Sequence, residues 1–151
     1  MTGTHQASGM HLIADLYGID DTQLSDPDAI EKLLRESAVA AGATIIYSHF
    51  HVFGEGQGIT GVVLLAESHI SIHTWPELGF AAADVFMCGS ARPEVAVDIM
   101  VDALKPTSTR IQHIARGRPQ GISGNEAARS DAGIERAMET VAHCFPCTPR
   151  N

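Results

Sequence analysis

Hydrophobic and polar positions along the chain predict several strands grouped around two helices. His11 to Tyr17 reads as a first strand, ended by Gly18, and a loop follows to Asp26. Ile30, Leu33, Leu34 and Ala38 then recur at helical spacing, with Asp26 as N-cap, Pro27 at the first helical position and Gly42 as the stop. Ala43 to Phe53 turns β-like, and the glycine-rich run Gly54 to Gly58 forms a hairpin loop into Ile59 to Ala66, an aliphatic and β-branched stretch expected to be a buried strand. Phe80 to Cys88 reads as a further strand. Pro93-Glu94 opens a second helix through Val95, Ile99, Val101 and Leu104, closed by Lys105-Pro106, and Thr109 to Ala115 is a last strand. This order predicts an α+β two-layer sandwich, a mainly antiparallel sheet with two helices on one face. The other face then needs a cover, and a second subunit is the simplest one.

The element pattern ends near Arg118, so we expect a domain over residues 1–118 and a C-terminal tail over 119–151, with a short helix near Ala132 to Ala142. A chain of 151 residues suits one domain with a real core. The formal charge of −8 argues against a nucleic-acid groove, which needs clustered Lys and Arg, and suits a cationic small substrate. No apolar run is long enough for a membrane span, and the first residues lack the basic and apolar segments of a signal peptide, so the expected location is cytoplasmic. Three cysteines are too few for a disulfide scaffold at this length, which leaves Cys88 as a free thiol.

The densest chemistry lies in Glu67-Ser68-His69-Ile70-Ser71-Ile72-His73-Thr74-Trp75-Pro76-Glu77, which holds the only tryptophan of the chain. Side chains alternate faces along a strand, so Ser68, Ile70, Ile72 and Thr74 share one face while His69, Ser71 and His73 share the other. Ser68 and His73 cannot meet on a regular strand, and for them to work together the backbone must turn or bulge near Glu67-Ser68-His69. An ordinary half-buried strand with polar residues facing water is the plain alternative.

Two other patterns are weaker. The glycines of 54–58 lack the Gly-Lys-Ser/Thr and the following helix of a phosphate cradle. Cys144-Phe145-Pro146-Cys147, preceded by His143, is half a zinc site, a redox pair or a dispensable tail element. No second pair stands at zinc-ribbon spacing, and His49, His51 and His113 are too scattered to define a metal site.

The string AESHISIHTWPE, followed by GFAAADVFMCG, resembles the core of the small prokaryotic S-adenosylmethionine decarboxylases, which are pyruvoyl enzymes. The resemblance runs from His11 to about Gly117 and joins a contiguous motif to a correctly spaced Cys88. It implies self-processing. The hydroxyl of Ser68 attacks the carbonyl of Glu67, the amide becomes an ester, and β-elimination leaves a dehydroalanine that hydrolyses to a pyruvoyl group. Such attack needs a distorted peptide and donors for the oxyanion, because amide resonance otherwise protects the bond. By the same resemblance His73 serves processing by proton transfer, and Thr60 supplies an assisting hydroxyl where relatives often carry serine. The pyruvoyl ketone would condense with a substrate α-amine as a Schiff base and act as an electron sink, and Cys88 would return the proton.

The resemblance further implies that Phe53 stacks on the adenine of S-adenosylmethionine and that Glu77 binds its ribose hydroxyls. Glu67 becomes the new carboxyl terminus of the first fragment, beside the cofactor. Homodimers of cleaved chains, with active sites close to the subunit interface, are implied as well. The function expected is decarboxylation of S-adenosylmethionine to the aminopropyl donor of spermidine synthesis. The same machinery acting on arginine or ornithine is one alternative, weighed against by Phe53 and Glu77. A non-catalytic, unprocessed relative is another, weighed against by the full set of Ser68, His73 and Cys88.

Overall fold

The computed structural model describes residues 8–117. The expected short helix near Ala132 to Ala142 and the Cys144–Cys147 pair lie outside the described residues. Within them, six strands form one sheet in which every neighbouring pair is antiparallel: β1 (Ser8–Tyr17), β2 (Ile45–Val52), β3 (Ile59–Leu65), β4 (Ser68–Trp75), β5 (Phe80–Cys88) and β6 (Ser108–Gly117). The order across the sheet is β2-β3-β4-β5-β1-β6. The run β2 to β5 is a meander of neighbours. β1 pairs β5 and β6 across long separations, so it closes the fold only after most of the chain has been laid down.

Period-two alternation decides which face is covered. Leu12, Ala14 and Leu16 of β1, Val63 and Leu65 of β3, Ile70 and Ile72 of β4, and Ala81, Ala83, Val85 and Met87 of β5 are buried on one face. Two helices supply the apolar stripe that covers them. α2 (Pro27–Ala40) turns in Ile30, Leu33, Leu34 and Ala38, and α3 (Pro93–Leu104) turns in Ala96, Val97, Met100 and Leu104. The expected cap is present, since the Asp26 side chain accepts the Ala29 N–H at 3.0 Å. Lys105 ends α3 in the left-handed region at φ 48°. The α+β two-layer sandwich with both long helices on one face is therefore observed, with strand and helix bounds within a few residues of those expected.

Two short elements differ from expectation, a 3-10 turn at Pro76–Leu78 and a helix before α2. The loop between Gly18 and Asp26 contains a four-residue helix, α1 (Asp21–Leu24), capped by Asp20, whose carboxylate accepts the Thr22 N–H and hydroxyl. Leu24 at its end is fully buried, and its carbonyl accepts the Thr74 hydroxyl at 2.8 Å, while the same hydroxyl oxygen accepts the Ile59 N–H at 2.8 Å. Thr74 is thus satisfied by structure, tying β3 and β4 to α1. A single turn carries no helical periodicity, which is why pattern alone reads it as a loop.

The opposite face of the sheet has no covering layer among the described residues. His11, Asp84, Phe86, Cys88, His69, Ser71, His73, Trp75, Phe80, Thr60 and Val62 lie on it by the same alternation. The motif histidines are therefore on the open face.

Candidate active site

The residues singled out in the sequence fall into two groups at opposite ends of β4. At the first end, β3 passes into β4 through only Ala66 and Glu67, and neither takes a positive φ. The primed turns that favour two-residue hairpins need positive φ, so this link is not one of them. It is held instead from β2: the Ala66 N–H donates to the Thr44 carbonyl at 2.9 Å, and the Thr44 N–H donates to Glu67 Oε2 at 2.9 Å. Thr44 therefore clamps the residue on the N-terminal side of the Glu67–Ser68 peptide.

Ser68 opens β4 half-buried, and its Oγ lies 3.3 Å from Nδ1 of His69. Its cross-strand partner is Met87, and Cys88 is the next residue along β5. Cys88 is a half-buried free thiol opposite Gly9. A Cβ on Gly9 would sit 2.8 Å from Cys88 Sγ and 2.6 Å from the Met87 carbonyl oxygen, so only glycine leaves that thiol its present place. Next to these, His11 Nε2 lies 3.1 Å from Asp84 Oδ1, His11 Nδ1 lies 3.1 Å from Arg116 Nη1, and the Arg116 guanidinium stands 5.3 Å over the Phe86 ring. His69 meets both His11 and Phe86 edge-on, at 6.3 and 6.0 Å between ring centroids. Burial is the main cause that pushes the His69 imidazole below its usual pKa of 6.5, and the neighbouring His11 adds to it.

At the other end, Thr60 and His73 are direct cross-strand partners, with Thr60 Oγ1 3.0 Å from His73 Nδ1. A cavity of about 360 Å³ opens here, lined by Phe53, Gln57, Thr60, His73, Trp75 and Glu77. Phe53 is 66% exposed and packs edge-on to His51 at 4.9 Å, so most of its ring is free to receive a ligand. Trp75 continues an aromatic ladder across three strands, stacked on Phe80 at 5.2 Å, which stacks on Tyr17 at 5.0 Å. Trp75 and Gln57 are cavity residues that sequence reasoning did not assign. The position of Trp75 two residues beyond His73, hence on the same face, was the available signal.

The geometry brings Thr60, His73, Phe53 and Glu77 to one end of β4, and sets Glu67, Ser68 and, one residue past the cross-strand partner of Ser68, Cys88 at the other. It does not bring the two groups to each other within one chain. Nor does β4 bulge to do so: its pairing with β3 and β5 runs without a register shift, and the only shift recorded in the sheet is in β2, between Ile45 and Tyr47. The turn or bulge expected near Glu67-Ser68-His69 is confined to the Ala66-Glu67 link, which precedes Ser68 and leaves the parity of β4 intact. Among the described residues no group of three or more His, Cys, Asp or Glu side chains could hold a metal ion.

Fold and site together define a one-sheet α+β enzyme domain whose reactive groups lie toward the two ends of β4, His73 and Cys88 on the open face and Ser68 at the strand start on the other. Residues 10–117 match the family model described as S-adenosylmethionine decarboxylase, and the chain belongs to that family. It is 48% identical over 110 residues to an S-adenosylmethionine decarboxylase proenzyme of Methanococcus maripaludis, covering 72% of this chain and 89% of the relative. A proenzyme of the same name from Caldicellulosiruptor saccharolyticus is 46% identical over 112 residues, covering 74% of this chain and 90% of the relative. The crystal structure of the adenosylmethionine decarboxylase from Aquifex aeolicus VF5 superposes with a TM-score of 0.71 at 41% identity, over 80% of this chain and 99% of that one.

Proposed function

We propose that this chain is a proenzyme that cuts itself between Glu67 and Ser68 and, once cut, decarboxylates S-adenosylmethionine to the aminopropyl donor of spermidine synthesis. The observation that carries the reading is the identity of 46–48% to S-adenosylmethionine decarboxylase proenzymes across nearly the whole folded domain. The Glu67–Ser68 link adds to it, because Thr44 holds Glu67 while the Ser68 hydroxyl stays half-buried next to an imidazole nitrogen.

The cofactor is a pyruvoyl group made from Ser68. The surroundings fit it: the hydroxyl is at a strand start, a free thiol stands one residue beyond its cross-strand partner, and Gly9 leaves space beside that thiol. When formed, the ketone supplies the electron sink that decarboxylation of an α-amino acid requires. Cys88, one residue beyond the cross-strand partner of Ser68, would return a proton from Sγ to the decarboxylated carbon. His73, oriented by Thr60, carries a proton during the elimination step of processing. Phe53 and Glu77 line a cavity of a size and chemistry suited to a nucleoside, with a ring face for adenine and a carboxylate for ribose hydroxyls.

These roles need the two ends of β4 in one site, and five residues of extended strand separate Ser68 from His73 by roughly 17 Å. A homodimer of cleaved chains resolves this. If open faces meet about a two-fold axis near the middle of β4, the Ser68 end of one protomer lies against the His73 end of its partner, and two equivalent sites form. The same contact covers the open face. A reducing cytoplasm keeps Cys88 a thiol, and no helix among the described residues is long and apolar enough to cross a membrane.

A carbon dioxide release assay on fully cleaved enzyme, with S-adenosylmethionine, arginine and ornithine in parallel, tests the substrate. Release from S-adenosylmethionine alone is expected. Release from arginine or ornithine with none from S-adenosylmethionine would overturn the substrate and leave the processing chemistry standing.

A further inference from the structure

We infer that His69 is the base for the first step of self-processing, taking the Ser68 hydroxyl proton through Nδ1 as that oxygen attacks the Glu67 carbonyl. The inference rests on the processing reading above and extends it to a step to which His73 and Thr60, at the far end of β4, do not reach within the chain.

The contact is direct. Nδ1 of His69 is 3.3 Å from Ser68 Oγ, and the hydroxyl has no other side-chain partner among the described residues. A hydroxyl that donates to Nδ1 fixes the His69 tautomer with its proton on Nε2, so Nδ1 presents a lone pair to the reacting oxygen. Around the ring, Phe86 and His11 close two sides at 6.0 and 6.3 Å. His11 is itself held at both nitrogens, by Asp84 and by Arg116, so this wall is positioned by two partners. A half-buried imidazole flanked by an aromatic ring and a second imidazole favours its neutral form, which is the form a base must have.

The step balances within the chain. The bond from Ser68 Oγ to the Glu67 carbonyl carbon forms as the Oγ proton passes to Nδ1. The tetrahedral centre then collapses, the bond from that carbon to the Ser68 nitrogen breaks, and the nitrogen leaves as an amine with the proton returned from Nδ1. The product is the Glu67 ester of Ser68, with His69 neutral again. His69 turns over no external reagent.

The test follows full-length chains from cell-free translation by intact mass over time, with hydroxylamine added to aliquots to open any ester. His69→Asn keeps an acceptor near the Nδ1 position but cannot take a proton, and His69→Ala keeps neither. Both should cleave about a hundredfold or more slower than wild type, within the range general base catalysis supplies, and neither should build up a hydroxylamine-labile ester. His73→Ala should also be slow but should accumulate that ester, because its block comes later. His69→Asn cleaving within a few-fold of wild type would overturn the inference. So would a slow His69→Asn that accumulates ester, which would set His69 after the acyl shift. A wild-type chain that never cleaves would instead remove the processing reading itself, and the two failures are distinguishable.

Discussion

Ser68 and His73 stand five residues apart on one unbroken strand, on opposite faces, and neither end of β4 bends toward the other. If both act in one site, they must come from different copies of the chain. Two inactive variants should then repair each other. Co-expressed Ser68→Ala and His73→Ala chains form mixed dimers in which the intact Ser68 of one chain meets the intact His73 of the other. The His73→Ala chain should be cut in the mixture, though it stays whole or nearly so alone, as read by intact mass. No cleavage in a mixture shown to contain mixed dimers would remove the composite site.

Processing and turnover should separate at Cys88. If, as proposed, its thiol returns a proton after decarboxylation and takes no part in making the cofactor, Cys88→Ala should cleave normally and lose most carbon dioxide release. Gly9→Ala should act in the same direction. The added methyl would come within 2.8 Å of Cys88 Sγ and 2.6 Å of the Met87 carbonyl, and backbone at that distance cannot yield cheaply. Wild-type turnover by Cys88→Ala, with normal amine product, would contradict the proton-donor role.

Phe53 is exposed at the mouth of the cavity, and among the described residues its ring meets only one other aromatic ring, that of His51. Phe53→Ala should leave cleavage and melting temperature close to wild type. Stacking of a base on an aromatic ring is worth roughly 1–3 kcal/mol, so kcat/KM for S-adenosylmethionine should fall about tenfold or more. Glu77→Gln should also lower it without blocking cleavage. Unchanged kcat/KM in both variants would move the nucleoside site elsewhere.

The pH dependence of cleavage follows from His69. Burial, with His11 and Arg116 acting the same way and Asp84 opposing, holds its pKa below the usual 6.5. A base must be neutral, so the cleavage rate should not depend on His69 from pH 6.5 upward and should fall as pH drops through the lowered value. His69→Asn should lose that acid limb. The stability linkage has the same sign: between the folded value and 6.5 the unfolded chain binds the extra proton, so the His69 contribution is complete above 6.5 and is lost as pH falls. Cleavage rates of both chains across pH 5 to 8 check this, and an identical acid limb in His69→Asn would contradict it.

Much of the fold was legible because local rules agreed. The Asp26 cap, Pro27 and the Ile30-Leu33-Leu34-Ala38 stripe define α2 without tertiary information, and parity correctly put Ser68, Ile70, Ile72 and Thr74 on one side of β4. The insertion of β1 between β5 and β6 was not legible, because pairing across most of the chain leaves no local pattern. Parity also raised the separation of Ser68 from His73. The resolution looked for in the backbone of β4 is absent; the uncovered sheet face pointed to a second subunit, but no local pattern pairs Ser68 of one copy with His73 of another. His69 and Trp75 were within reach of the sequence, one next to Ser68 and the other on the His73 face. The Thr44 clamp on Glu67 was not, since a backbone donor has no sequence signature.

The central claim is that this chain makes its own cofactor at Ser68, and the intact mass of the purified protein tests it most directly. Two fragments are predicted, residues 1–67 and residues 68–151, the second with an N-terminal pyruvoyl in place of the serine, while Ser68→Ala remains one full-length chain. A wild-type protein that stays a single intact species after prolonged incubation would contradict the account.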